Sequence, residues 1–94
     1  RLIAIIARME AQIENPASLD ALARAAGITR RQMERLFLAQ FDTGPAAYYR
    51  TLRLERARSF LKETSLPLIE VAVATGFSSK SAMTRAYLQK FGRP

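Results

Sequence analysis

Cysteine and histidine are both absent from the 94 residues. Without thiols there is no disulfide, no cysteine-based zinc site and no thiol nucleophile, and without imidazole every acid–base scheme that depends on one is closed. Most enzyme classes fall away on these two absences, and no catalytic, cofactor or metal site is expected. Long apolar runs are missing too. The stretch at residues 2–7 falls far short of the roughly 20 residues that span a bilayer, so membrane insertion is not expected. Acidic residues are outnumbered, 8 against 15 Lys plus Arg, which leaves a formal charge of +7. At 49% apolar and 24% charged residues, the composition is that of a folded chain rather than a disordered one. The length suits one compact domain, or two very small ones sharing an element. The chain opens at Arg1 inside a helical pattern, which reads as a fragment of a longer protein.

Apolar residues recur at helical spacing throughout, and strand-like alternation never persists. Leu2, Ile5, Ile6, Met9 and Ile13 predict a first helix ended by Asn15-Pro16. Ser18 is a good N-cap for a short second helix that stops at Gly27. Thr29, with Gln32 three residues on, fits a capping box for a third helix carrying Met33, Leu36, Phe37 and Phe41. Gly44-Pro45 breaks and restarts the chain. After Pro45, residues 46–62 hold neither Gly nor Pro, and their apolar residues spread over more than one face, so this long helix must touch two bodies. A turn at residues 64–67, a short helix at 68–75 and a last helix through Phe91, capped by Ser78 or Ser79, complete the reading. Ile3 is off the first stripe and is expected to be exposed.

A repeat organises these elements. LARAAGIT (residues 22–29) is echoed 49 positions later by VAVATGFS, and RLFLAQF (residues 35–41) is echoed 50 positions later by RAYLQKF. Each copy is a short helix, a glycine-containing turn and a longer helix, the helix-turn-helix arrangement. The glycine supplies the sharp turn, and Ile28 or Phe77 plugs the corner. Arg30, Arg31, Glu34 and Arg35 share one face of the third helix, opposite Met33, Leu36 and Phe37. Lys80, Ser81, Thr84 and Arg85 repeat that spacing opposite Met83, Ala86 and Tyr87. Both copies therefore present a polar, mostly cationic ridge near a helix N-terminus.

The positive charge is concentrated in three segments. Residues 1–28 balance three cations against three acids, whereas residues 78–94 carry Lys80, Arg85, Lys90 and Arg93 with no acid. An α-helix fits the major groove of B-DNA, where Arg donates bidentately to guanine. A connector of residues 45–62 is roughly 27 Å long at 1.5 Å per residue. Its end packing could separate two reading helices by about one DNA turn, near 34 Å. The partner favoured by this geometry is double-stranded DNA.

The blocks DALARAAGITRRQMERLFLAQF (residues 20–41), LRLERARSFL (52–61) and IEVAVATGFSSKSAMTRAYLQKFGRP (69–94) resemble the C-terminal DNA-binding domain of AraC/XylS-type bacterial transcription regulators. The likeness covers nearly the whole chain, and GFSS and FGRP are its most specific parts. It implies an all-α, homeodomain-like fold with two helix-turn-helix subdomains, residues 1–44 and 65–94, joined by a linker helix at 45–64. The third and sixth helices, about residues 29–41 and 79–91, would enter successive major grooves. The family continues past FGRP into a seventh helix, which this sequence does not include. The resemblance assigns base reading to Arg31, Glu34, Arg35, Lys80, Ser81 and Arg85. Arg30 and Thr84 then fall to phosphate contacts; Thr29, Lys90 and Arg93 are further phosphate candidates, as are Ser78 and Ser79, which are caps first and could add a helix-terminal phosphate contact. It implies an activator of transcription acting in the bacterial cytoplasm on the nucleoid, with RNA polymerase as a further candidate partner. RRQMERLF is most similar to members whose N-terminal half is a glutamine-amidotransferase-like sensor domain. Asp42 stands where the family usually has glycine, and Pro67 where it has a Ser or Asp cap.

Plainer readings compete at several positions. Arg50, Arg53, Arg56 and Arg58 read singly as a solvated face, with Arg56 balanced by Glu55 and Arg58 by Glu63. Glu34 either accepts from cytosine N4 or pairs with Arg30 or Arg31 and repels phosphate. Tyr48 and Tyr49 are expected to pack the linker against the subdomains. The rival function is a protein-interaction module using the same basic helices, since fold alone does not settle function. A membrane-surface binder fits less well because the apolar residues are needed for the core.

Overall fold

A computed structural model describes residues 1–93. Six helices follow in order: α1 (Leu2–Ala11), α2 (Leu19–Ala25), α3 (Arg30–Phe41), α4 (Pro45–Glu63), α5 (Leu68–Ala74) and α6 (Lys80–Phe91). Among the described residues there is no strand. No helix among the described residues is long and apolar enough to cross a membrane. Pro94, which closes the FGRP string, lies outside the described residues.

The two short helices end alike because the same backbone motif closes both. After α2, the Ile28 N–H reaches the Ala23 carbonyl at 3.1 Å and the Gly27 N–H reaches Arg24 at 3.1 Å. After α5, Phe77 reaches Ala72 at 3.0 Å and Gly76 reaches Val73 at 3.2 Å. These are paired Schellman closures, which need a residue at positive φ after the cap. Gly27 (φ 71) and Gly76 (φ 77) provide it. The longer helices of the two copies match as well, with Asp42 at φ 57 after α3 and Gly92 at φ 81 after α6. Asp42 thus occupies the left-handed conformation that explains the family's usual glycine there.

Two cores result. Ile5, Met9, Leu22, Met33, Phe37 and Tyr49 anchor the first, while Ala57, Val71, Ala72 and Met83 form the second. Helix α4 serves both, contributing Tyr49 to one and Ala57 to the other, and it packs on α1 and α3 as well as on α5 and α6. Its spread of apolar residues over several faces is the sequence trace of that double role. At 19 residues it is about 28 Å long, within a molecule measuring 40 × 23 × 20 Å. Tyr48 joins Phe37 and Phe41 in an aromatic cluster, with ring centroids 5.3 and 4.6 Å away. Ile3 is 84% exposed, as its place off the stripe predicts.

The structure departs from the sequence pattern at two places. The first helix ends at Ala11, not at Asn15-Pro16. Ile13 is buried from the loop that follows, where the Tyr49 hydroxyl donates to the Gln12 carbonyl at 2.6 Å and accepts from the Ala17 N–H at 3.1 Å. A tertiary partner takes over a carbonyl that helix continuation would otherwise leave to a later N–H. The local pairs Arg56–Glu55 and Arg58–Glu63 do not form among the described residues. Instead the Arg58 guanidinium lies 4.7 Å over the Phe91 ring, a cation–π contact.

Candidate nucleic-acid interface

The N-terminal turns of α3 and α6 are fixed by side-chain caps. The Thr29 hydroxyl accepts from the Gln32 N–H at 3.1 Å, and the Gln32 side chain accepts from the Thr29 N–H at 2.9 Å, a complete capping box. On α6, the Ser79 hydroxyl accepts from the Ala82 N–H at 3.0 Å. Of the two serines, Ser79 is the cap and Ser78 precedes it, exposed.

Beyond each cap the buried face is Met33 and Phe37 on α3, Met83 and Tyr87 on α6. Arg31, Glu34 and Arg35 therefore project outward from α3, and Lys80, Ser81, Thr84 and Arg85 from α6, all exposed. Each row stays on its own helix, and α4, packed on both, joins them. Arg30 is exposed but engaged, 3.6 Å from Asp20 and 3.7 Å from Glu34. Those exposed pairs contribute little stability, yet they tether Glu34 to Arg30. Arg31, Arg35, Lys80 and Arg85 form no ion pair among the described residues, so their charges are available to an anionic partner. Thr84 sits at the edge of a small apolar cavity of about 60 Å³ beside Met83, Tyr87 and Leu88. Lys90 and Arg93 are exposed at the far end of α6 and after it.

Arg53 departs from the solvated-face reading. It reaches from α4 to the turn of the second copy, where Nε donates to the Thr75 carbonyl at 2.9 Å and Nη2 to the Gly76 carbonyl at 2.7 Å. Its guanidinium also lies 4.2 Å over the Phe77 ring. Burial pulls its pKa below the ordinary arginine value, with Tyr49 countering that pull and Arg50 adding to it. The other side of the same turn rests on the α1–α2 loop ahead of the first copy. A Cβ on Gly76 would stand 2.5 Å from the Ile13 carbonyl oxygen and 2.8 Å from the Pro16 ring. The second turn is thereby held between α4 and the α1–α2 loop, which fixes one helix-turn-helix unit against the other. Sequence reading missed this role. Arg53 stands one turn after Tyr49, but nothing local reveals which carbonyls tertiary packing delivers to it.

Two capped helices with outward cationic rows, each behind a Schellman turn, define a tandem helix-turn-helix domain, and a family model described as a helix-turn-helix domain matches residues 22–94. The chain belongs to the AraC-type branch of this family of bacterial transcription regulators. The regulator GbdR of Pseudomonas aeruginosa is 46% identical over all 94 residues, which make up 26% of that protein. The regulator GlxA of Rhizobium meliloti is 39% identical over 98% of this chain and 28% of its own length. The chain thus spans about a quarter of the length of these curated relatives. Among solved structures, an AraC-type regulator from Chromobacterium violaceum superposes with a TM-score of 0.93 at 42% identity, covering 97% of this chain and 81% of that one. The DNA-binding domain of AdpA, solved in complex with a target DNA, shares the fold with a TM-score of 0.91 at 24% identity, over 98% of this chain and 83% of its own. Family and fold are those of a transcription-regulator domain, not of an enzyme.

Proposed function

We propose that this chain binds double-stranded DNA sequence-specifically as part of a bacterial transcription regulator, with α3 and α6 entering successive major grooves on one face of the duplex. The observation that carries this reading is the pair of outward cationic rows at matching positions of two copies held by one helix. Arg31, Glu34 and Arg35 on α3 and Lys80, Ser81 and Arg85 on α6 are assigned to base edges. Thr29, Arg30, Ser78, Ser79, Thr84, Lys90 and Arg93 are assigned to the phosphate backbone. Phosphate contacts supply most of the affinity and its salt dependence, and base contacts supply the choice of sequence. The organisation that fits is a first unit at residues 1–44, a linker at 45–64 and a second unit from 65. In the parent protein an N-terminal sensor domain and contact with RNA polymerase would complete an activator acting in the cytoplasm.

Selection of duplexes from a random pool tests the reading directly. Recovery of two short motifs centred about 10 base pairs apart is expected, together with a linear fall of log affinity against log salt. Recovery of a single motif, or affinity indifferent to salt, overturns it. Arg35→Ala and Arg85→Ala are each expected to cost about 1–3 kcal/mol on the selected duplex and to relax selectivity at one base pair. Equal losses on a scrambled duplex would remove the base-reading assignment.

A further inference from the structure

Helix α4 and α6 leave between them a groove of about 400 Å³ that runs along α6 as far as Gln89 and whose walls include Arg50, Arg53, Ser78 and Arg85. A neighbouring depression of about 260 Å³ shares Arg50 and adds Lys90. Neither is lined by a carboxylate. Among the described residues the ion pairs all involve Arg30, on the other unit, so no acid compensates this cluster. Arg53 is fixed in it by the Thr75 and Gly76 carbonyls, and its charge is already disfavoured by burial and by Arg50. Cations gathered without a counter-charge repel one another, and an anion placed among them relieves that repulsion.

The anion is indicated by what borders the groove. Arg85 forms one wall and also belongs to the outward row of α6, and Ser78 comes just before the α6 cap. A duplex lying against that row brings its backbone to the mouth of the groove. We propose that this groove seats a DNA phosphate, with Arg50 of the linker helix as its principal ligand and Lys90 beside it. The linker helix is then part of the DNA-binding surface and not only a spacer. This inference rests on the DNA-binding reading above and adds a contact that the repeat does not contain, since Arg50 has no counterpart in the two copies.

Arg50 is exposed and makes no hydrogen bond to the rest of the protein among the described residues, so its replacement leaves the fold intact. The test uses the full chain with two probes, the duplex selected by the wild-type protein and a scrambled duplex of equal length. Arg50→Ala is expected to weaken both about 5- to 10-fold at low salt and to make the slope of log affinity against log salt shallower by about 1. Arg50→Lys, which keeps the charge, is expected to restore the slope, and Arg50→Gln to behave as Arg50→Ala. An unchanged slope, or a loss confined to the selected duplex, overturns the phosphate assignment while leaving the DNA-binding reading in place. Failure of the wild-type protein to bind either duplex overturns both.

Discussion

The two helix-turn-helix units share a backbone and differ in what supports it. The first has a helix of its own in front, α1, a complete capping box on α3 and a core of large side chains closed by the Phe37, Phe41 and Tyr48 rings. The second has no private helix in front, no side-chain cap on α5, and a core built largely of Ala57, Val71, Ala72 and Met83. It borrows the C-terminal half of α4 and is tied down by Arg53 at its turn and Arg58 over Phe91. Leu66, Leu68, Ile69, Val73 and Leu88 remain substantially exposed on it. Duplicated geometry therefore does not imply duplicated stability. Both units draw on α4, but the first adds to it a helix and large buried side chains of its own, whereas the second depends more on contacts from its neighbours.

Substitution at the paired turn glycines should separate the units most sharply. Gly76→Ala combines a left-handed backbone with a collision against the Ile13 carbonyl and Pro16, so thermal or denaturant unfolding is expected to show a loss of about 3 kcal/mol or more. Gly27→Ala meets nothing within 4 Å, and only the conformational cost of about 1–2 kcal/mol is expected. Equal losses would mean that the second turn does not rest on the first unit. Next in size, Arg53→Ala leaves the Thr75 and Gly76 carbonyls without charged donors, and about 2–3 kcal/mol should be lost. Hydrogen exchange should show amides of α5 and α6 opening before those of α2 and α3; simultaneous opening would refute the unequal support. Tyr49→Phe removes the hydroxyl that serves Gln12 and Ala17, for which about 1–2 kcal/mol is expected by urea titration. Smallest is the exchange at the helix ends, where Asp42→Gly should gain no more than about 0.5 kcal/mol, because relief of the positive φ is offset by a freer unfolded chain.

Much of this architecture was legible because it is local. Capping chemistry at Ser18, Thr29 and Ser79, glycines at the two turns, and apolar periodicity on each helix depend on residues within a few positions. The doubled pattern identified the outward rows without any tertiary information, and the resemblance supplied roles for them. What stayed hidden was long-range. The early end of α1 depends on a hydroxyl 37 positions away, and the clamp by Arg53 on carbonyls 22 and 23 positions away. An arginine among several on a helix looks solvated until the chain folds a set of acceptors against it. The anion-seeking groove was obscured for the same reason, since Arg50 and Arg85 become neighbours only when α4 and α6 pack.

The outward rows of α3 and α6 contribute no side chain to either core, which rests on Met33, Phe37, Met83 and Tyr87 behind them. Changes along these rows are thus uncoupled from core packing, so under the proposed base-reading role a lineage could drift to new targets one helix at a time while its scaffold stayed constant.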